Sequence, residues 1–301
     1  GNLACSLLAW LSAKSQGGRI VLRIEDLDAE RCPRVYADLL EQDLAWLGLT
    51  WDEGGSTGGA HAPYYQSECG EIYTESYRKL EQRGLVYPCF CSRSQLHAAS
   101  APHTSDGNVI YPGTCRGLTA EQIAEKRKKK APAYRLMVPD EEITFTDGCM
   151  GTHTENLLRD CGDFYLRRAD GVFAYQLAVV VDDHFQGVSE IVRGADLIEP
   201  TVRQISLYQL FGWKVPDYIH LPLALNPQGA KLSKQNHAPA LPKGDPRPVL
   251  IAALHFLGQQ VETHWQDFSV EQILQSAVKN WTLTAVPESA IVNSTFSNAS
   301  C

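Results

Sequence analysis

Nowhere does this chain of 301 residues run through the ~18 consecutive apolar residues that a membrane-spanning helix requires, and no secretory leader precedes its first helical pattern. An initiating methionine is missing too. Gly1-Asn2 stand directly before a run, Leu3 to Lys14, that reads as a helix, so the chain is expected to be a fragment without its true N-terminus. It has no excess of positive charge: the net charge of −8 argues against a protein coated in nucleic acid, while leaving room for a local basic face such as Lys126-Arg127-Lys128-Lys129-Lys130. Internal repeats and low-complexity tracts are absent. The nine cysteines are odd in number and scattered in spacing, which argues against a disulfide framework and fits reduced thiols in the cytoplasm.

What is present is an ordinary globular composition, 44% hydrophobic and 21% charged, at a length that suits about two domains. Helical and strand-like patterns alternate in the first half. The run Arg19–Ile24 is β-rich. Pro33 opens a helix with apolar Val35, Leu39, Leu40, Leu44 and Leu47, closed by Gly48, and a third helix spans Cys69 to Arg83 before the strand Leu85–Tyr87. Such alternation implies βαβ units and a mostly parallel sheet. From Pro88 to Ala131 the pattern breaks into turns, with a short capped helix from Thr119-Ala120-Glu121-Gln122, and reads as an insertion. β-pattern resumes at Tyr134–Val138, Ile143–Phe145 and Phe164–Arg168, and Val179-Val180-Val181 ends in the acidic pair Asp182-Asp183. The tail is helical over Val249–Leu257 and behind a second capping box at Ser269.

Four groups of residues carry chemistry. Cys89 and Cys91, with Tyr111 and Cys115, offer thiolates to a structural zinc in a segment that lacks a core of its own; His97 and His103 compete with Tyr111 for the fourth position, and three buried thiols without metal are the plain alternative. Arg23-Ile24-Glu25-Asp26-Leu27-Asp28 lies at a strand's carboxyl end, where ligands bind in open α/β sheets and carboxylates can grip an ammonium group or a ribose. Arg193, leaving Val188–Val192 just before Gly194, suits bidentate recognition of a carboxylate; otherwise it is a structural ion pair with Asp182, Asp183 or Asp196. Lys231-Leu232-Ser233-Lys234-Gln235 follows the strand-like run Tyr218–Leu225 and a glycine-bordered turn, and suits a transient clamp on a polyphosphate.

Taken in order and spacing, RIEDLD, DFYLRRADG, AVVVDD, IVRGAD and KLSK resemble the catalytic core of the class I glutamyl-tRNA synthetases, over nearly all of residues 1–235. The resemblance implies an α/β, Rossmann-like class I aminoacyl-tRNA synthetase core formed by residues 1–87 and 132–235, its first strand missing. It also implies a zinc-bearing insertion over 88–131 and a short helical C-terminal appendage over 236–301. Two departures refine it. The block after β-rich Val188–Val192 reads Arg193-Gly194-Ala195-Asp196-Leu197, and the chain ends soon after KLSK. Both resemble a truncated branch of the family that attaches glutamate to queuosine in the anticodon of aspartate tRNA rather than to a 3′ end. Glu25 is then similar to the residue contacting the glutamate ammonium group, and Tyr175 and Arg193 to those contacting its side chain. Lys231–Gln235 correspond to the ATP loop with Lys234 as its phosphate-binding catalytic lysine, and Gly1-Asn2 to the end of a second ATP motif. Cys89, Cys91, Tyr111 and Cys115 correspond to the zinc ligands. The implied enzyme is a cytoplasmic monomer that uses L-glutamate, ATP with Mg²⁺ and queuosine-bearing tRNA(Asp), holds one structural Zn²⁺ and touches no membrane. A fragment of a conventional glutamyl-tRNA synthetase and an inactive zinc-containing RNA-binding paralogue are the alternatives.

Overall fold

The computed structural model describes residues 2–28, 30–92, 95, 110–225, 229, 244–289 and 291–292. Along the chain, α1 (Asn2–Ser15) leads into β1 (Val21–Leu22), α2 (Val35–Trp46), β2 (Glu53–Gly54), α3 (Gly70–Gln82) and β3 (Val86–Cys89). Then come α4 (Ala120–Arg127), β4 (Ala133–Leu136), the hairpin β5 (Glu142–Asp147) and β6 (Gly151–Asn156), and β7 (Tyr165–Arg167). The second half runs α5 (Tyr175–Phe185), β8 (Glu190–Gly194), α6 (Ile198–Phe211), β9 (Asp217–Leu221), β10 (Ala224–Leu225), α7 (Arg247–Phe256), α8 (Val270–Lys279) and β11 (Ile291–Val292). Among the described residues no helix is long and apolar enough to cross a membrane.

Two apolar cores organise these elements. One gathers Tyr73, Tyr77 and Leu80 of α3 against Leu177–Val181 of α5 and Val202 and Ile205 of α6. The other joins Leu7, Leu8 and Leu11 of α1 to Ile219 and Leu221 of β9 and to the tail helices α7 and α8, through Leu250, Leu254 and Ile273. The tail is therefore built into the same core as the N-terminal helix. Both expected capping boxes form: the Thr119 and Ser269 hydroxyls accept from the backbone N–H of Gln122 and Gln272, whose side chains bond back.

Three expectations need correcting. Parallel pairing joins β1 to β2, β8 to β9 and β10 to β11, but β3-β4-β7 and β5-β6 are antiparallel, so among the described residues the sheet is mixed. The β-branched run Val179–Val181 is helical, because α5 is enclosed on several sides and Leu177 through Asp183 are all buried; periodicity is lost where burial is all round. In α2 only part of the apolar set faces a core: Leu44 and Trp46 pack against the second core and Leu47, just past the helix, is buried in it. Val35, Leu39 and Leu40 stay exposed, and within the helix only Ala37 is buried.

Between β1 and β8 lies a slot of about 480 Å³, lined by Ile20 and Val21 on one side, Val188 and Val192 on the other, and Ala9 and Ala13 of α1 above. Among the described residues each of these strands pairs along one edge only. The slot has strand-like walls on both flanks.

Candidate active site and candidate metal centre

Strands β1 and β8 deliver Arg23, Glu25 and Arg193 to their carboxyl ends, and the first turn of α5 adds Tyr175. The Tyr175 hydroxyl is pushed up by burial and by the Glu25 charge, opposed by Arg193 and Arg23, which puts these four groups in one electrostatic neighbourhood. The acidic cluster after β1 divides by role. Asp26 is buried and accepts from the Ser67 backbone N–H (2.9 Å) and hydroxyl (2.7 Å), so it fixes the loop. Asp28 pairs with Arg168 and Arg31 at the surface. Glu25 alone stays exposed, held at one oxygen by Arg23 at 3.2 Å. Asn2 is the exposed first residue of α1. Gly1 and the whole of Lys231, Leu232, Ser233, Lys234 and Gln235 lie outside the described residues, as do His97 and His103.

Asp182 and Asp183 do not hold Arg193. They hold Arg23, at 3.7 and 2.7 Å, and are themselves tied down by Tyr73, Gln66 and Tyr208. Burial pushes the Asp182 carboxyl up to about 6 despite the Arg23 charge. The motif AVVVDD is thus scaffold for the strand end that carries Glu25.

Arg193 is buried and donates to neutral acceptors: Nε to His220 Nε2 (3.0 Å), Nη1 to Gln204 Oε1 (2.7 Å) and Nη2 to Thr201 Oγ1 (2.7 Å). A guanidinium has five N–H groups, so among the described residues two stay uncommitted, one on each terminal nitrogen, which is what an end-on carboxylate takes. Behind it, His220 Nδ1 meets Asp147 Oδ2 at 2.6 Å, with both residues buried. Thr201, Gln204, His220 and Asp147 were not legible as site residues in the sequence. The only hint was a polar histidine inside the apolar run Tyr218–Leu225.

The second centre is the insertion. Sγ atoms of Cys89, Cys91 and Cys115 lie within 4.8 Å of one another, and Cys91 to Cys115 is 3.7 Å. Metal–sulfur bonds of ~2.3 Å in a tetrahedron place sulfurs about 3.8 Å apart, the spacing that Cys91 and Cys115 already have, so the donor set fits zinc. The Tyr111 oxygen stands 3.6 Å from Cys89 and 3.9 Å from Cys91, and accepts from the Cys115 backbone N–H at 2.8 Å, which puts it on the open side of the triangle.

The surroundings favour thiolate at Cys89. Arg135 donates from Nε to Cys89 Sγ at 3.3 Å while its guanidinium is sandwiched between the Tyr111 and Tyr165 rings, and the Phe90 N–H points at Cys115 Sγ. Burial would raise the Cys89 thiol, but Arg135 and the backbone N–H of Cys91 outweigh it and hold it below its usual value. Cys91 is pushed up to about 11 by burial and by its neighbour Cys89. The four donors could hold a tetrahedral metal. Asp163, buried, anchors this unit to the core by accepting from Tyr87 (2.6 Å) and the Val138 N–H (2.8 Å). Beside it α4 ends in the exposed basic run: Lys128 pairs with Glu125, whereas Lys126, Arg127 and Lys129 form no ion pair among the described residues.

The family model for tRNA synthetases class I (E and Q), catalytic domain, matches residues 1–291. A glutamyl-Q tRNA(Asp) synthetase of Escherichia coli O6:H1 is 59% identical over 303 aligned positions, which cover 100% of this chain and 90% of that protein. Another of that name, from Citrobacter koseri, is 50% identical and is covered over 93% of its length. Among solved structures, a glutamate tRNA ligase from Elizabethkingia meningosepticum in complex with its amino acid superposes with a TM-score of 0.77 at 25% identity, and a glutamate-tRNA synthetase from Elizabethkingia anophelis with 0.79, also at 25%. The matches cover 97% and 98% of this chain but only 64% and 65% of those two, so the chain spans just under two thirds of their length.

Proposed function

The chain belongs to the class I tRNA synthetases of the glutamate and glutamine group, and on that premise we propose that it activates L-glutamate with ATP and passes the glutamyl group to queuosine in the anticodon of tRNA(Asp). The observation that carries the amino-acid half is the buried Arg193 guanidinium with two N–H groups left over, beside Tyr175 and Glu25. The acceptor half is supported by relatives named glutamyl-Q tRNA(Asp) synthetase that match the chain throughout.

In this reading Glu25 takes the substrate ammonium group while Tyr175 and Arg193 take its side-chain carboxylate. The α-carboxylate oxygen attacks the α-phosphorus of ATP; the bond to the β-phosphate oxygen breaks and pyrophosphate leaves. Lys231 and Lys234 neutralise the charge that builds on the departing oxygens, with Leu232, Ser233 and Gln235 completing the ATP loop and Gly1-Asn2 contributing from the chain start. A hydroxyl of the queuosine cyclopentenediol then attacks the glutamyl carbonyl carbon, AMP leaves, and the proton departs with solvent. ATP enters with Mg²⁺. The protein works as a cytoplasmic monomer.

The domain division follows the same reading: a catalytic unit over 1–87 and 132–235, an insertion over 88–131 and an appendage over 236–301. The exposed basic run on α4 supplies positive charge for RNA phosphates on a chain that is otherwise acidic.

Transfer is tested with labelled glutamate on two samples of tRNA(Asp), one carrying queuosine and one carrying guanosine at that position. Label should reach acid-precipitable RNA only in the first; equal labelling of both would exclude the queuosine acceptor.

Zinc held by Cys89, Cys91, Cys115 and Tyr111 would staple the insertion, and structural zinc commonly supplies ~10 kcal/mol or more of apparent folding free energy to such a module. Cys115→Ser protein is therefore expected to lose its one equivalent of zinc by elemental analysis. Residues 110–136 should also lose protection in hydrogen exchange while α3, α5 and α6 keep theirs. Stoichiometric zinc retained after that substitution would remove Cys115 from the centre.

A further inference from the structure

Behind Arg193 runs a buried chain of polar groups that the proposed mechanism does not use. It crosses three elements: Arg193 on β8, His220 on β9, and Asp147 at the end of β5. From its geometry we infer that His220 and Asp147 are positioning residues, which set the proton on the imidazole so that it accepts from Arg193 and thereby aims the guanidinium at the substrate carboxylate. The inference rests on the reading that Arg193 receives that carboxylate.

Proton bookkeeping supports it. Arginine Nε–H can only donate, so His220 Nε2, 3.0 Å away, must present its lone pair. The ring proton then sits on Nδ1 and is donated to Asp147 Oδ2 at 2.6 Å. Asp147 is fixed in turn by the backbone N–H groups of Cys149 and Met150 at 2.9 Å each and of His220 at 3.1 Å. The neighbours agree with this assignment. Thr201 spends its hydroxyl proton on the Leu197 carbonyl (2.8 Å), so toward Arg193 it is an acceptor. Gln204 donates its amide to Gln176 Oε1 (2.8 Å), which turns its own oxygen to Arg193. Thr201 Oγ1 also stands 3.2 Å from His220 Nε2, but the shorter contact decides: reversing the histidine tautomer would set two N–H groups, those of His220 and Arg193, against each other at 3.0 Å.

The charged and titratable groups facing His220 are Asp147 from β5 and Arg193 from β8, with Tyr218 from its own strand; Tyr175 of α5 and Asp183 lie beyond Tyr218. Burial lowers the His220 pKa, the Asp147 bond opposes that and the Arg193 charge adds to it, so the ring is neutral at pH 7. Asp147 stays ionised: burial would raise its carboxyl, but the bonds from His220 and from three backbone N–H groups outweigh it. Since the folded-state histidine is held below the ordinary ~6.5, its neutral form persists through that value and is lost only on further acidification.

The test uses the full-length protein. ¹⁵N-histidine NMR at neutral pH should report His220 as the Nδ1–H tautomer, and the KM for glutamate should stay level from pH 8 down to about 6.5 and rise below it. His220→Leu should raise the KM for glutamate by roughly 10- to 100-fold, the loss of a charge-assisted hydrogen bond, with the KM for ATP unchanged. His220→Gln, whose Oε1 can still accept from Arg193, should recover most of that. Asp147→Asn should shift the ring to Nε2–H and raise the same KM. An Nε2–H tautomer in the unsubstituted protein, or a glutamate KM that His220→Leu leaves unchanged, would overturn the inference. Arg193→Ala separates the two ideas: if it abolishes glutamate use while the His220 variants do not, only the positioning role fails; if it too leaves glutamate use intact, the underlying reading fails.

Discussion

Replacing Arg193 by alanine in the full-length protein is expected to lower kcat/KM for glutamate by about 10³-fold, which corresponds to about 4 kcal/mol of transition-state binding. It should also erase most of the preference for glutamate over glutamine. The size follows from where the group sits. The guanidinium is buried, its three recorded bonds go to neutral partners, and a carboxylate brought into its place without it would be desolvated and unpaired. Arg193→Lys should restore little, because one ammonium cannot replace a fork whose Nε is already committed to His220. Glutamate-dependent pyrophosphate exchange with both amino acids measures this directly. A variant that still prefers glutamate would move the side-chain contact elsewhere.

Lys234→Ala carries the other large effect. Removing a phosphate-binding charge from the ATP loop should cut adenylate formation by about 10²- to 10³-fold, the usual scale for one electrostatic contact to developing charge. RNA binding should change little, since the exposed basic charges at the end of α4 belong to a different part of the chain. Pyrophosphate exchange and a filter-binding measurement on the same preparation separate the two. Loss of RNA binding together with unaltered exchange would assign KLSK to the RNA face.

How much of this was legible beforehand differs from element to element. The capped helices and the amphipathic α3 and α8 follow from local signals that burial did not override. The thiol triangle was legible because a turn-rich segment with little apolar content needs another means of cohesion, and the three sulfurs do converge. Arg193 and Glu25 were legible as strand-end residues. Their surroundings were not. Which of Glu25, Asp26 and Asp28 stays available is decided by Ser67, Arg168 and Arg31, all distant in sequence or on the far side of a turn. The partners of Arg193 come from β9 and α6 and that of His220 from β5, and no spacing rule links Asp147 to His220. Helix α5 misled for a physical reason: with both acidic residues and the valines all buried, neither a period of two nor one of 3.6 survives in the composition. In α2 the apolar positions recur helically, and Leu44 and Leu47 reach the second core, yet Val35, Leu39 and Leu40 remain exposed, so the pattern marks the element but only part of the face that packs.

The claim on which the rest depends is that a glutamyl group ends up on the anticodon nucleoside. Full-length protein, ATP with Mg²⁺, glutamate and queuosine-bearing tRNA(Asp) should be incubated together, the RNA digested to nucleosides, and the products resolved by mass spectrometry. The account predicts a glutamyl ester on the cyclopentenediol of queuosine and none on the 3′-terminal adenosine. Glutamate recovered on the 3′ adenosine, with queuosine unmodified, would contradict it.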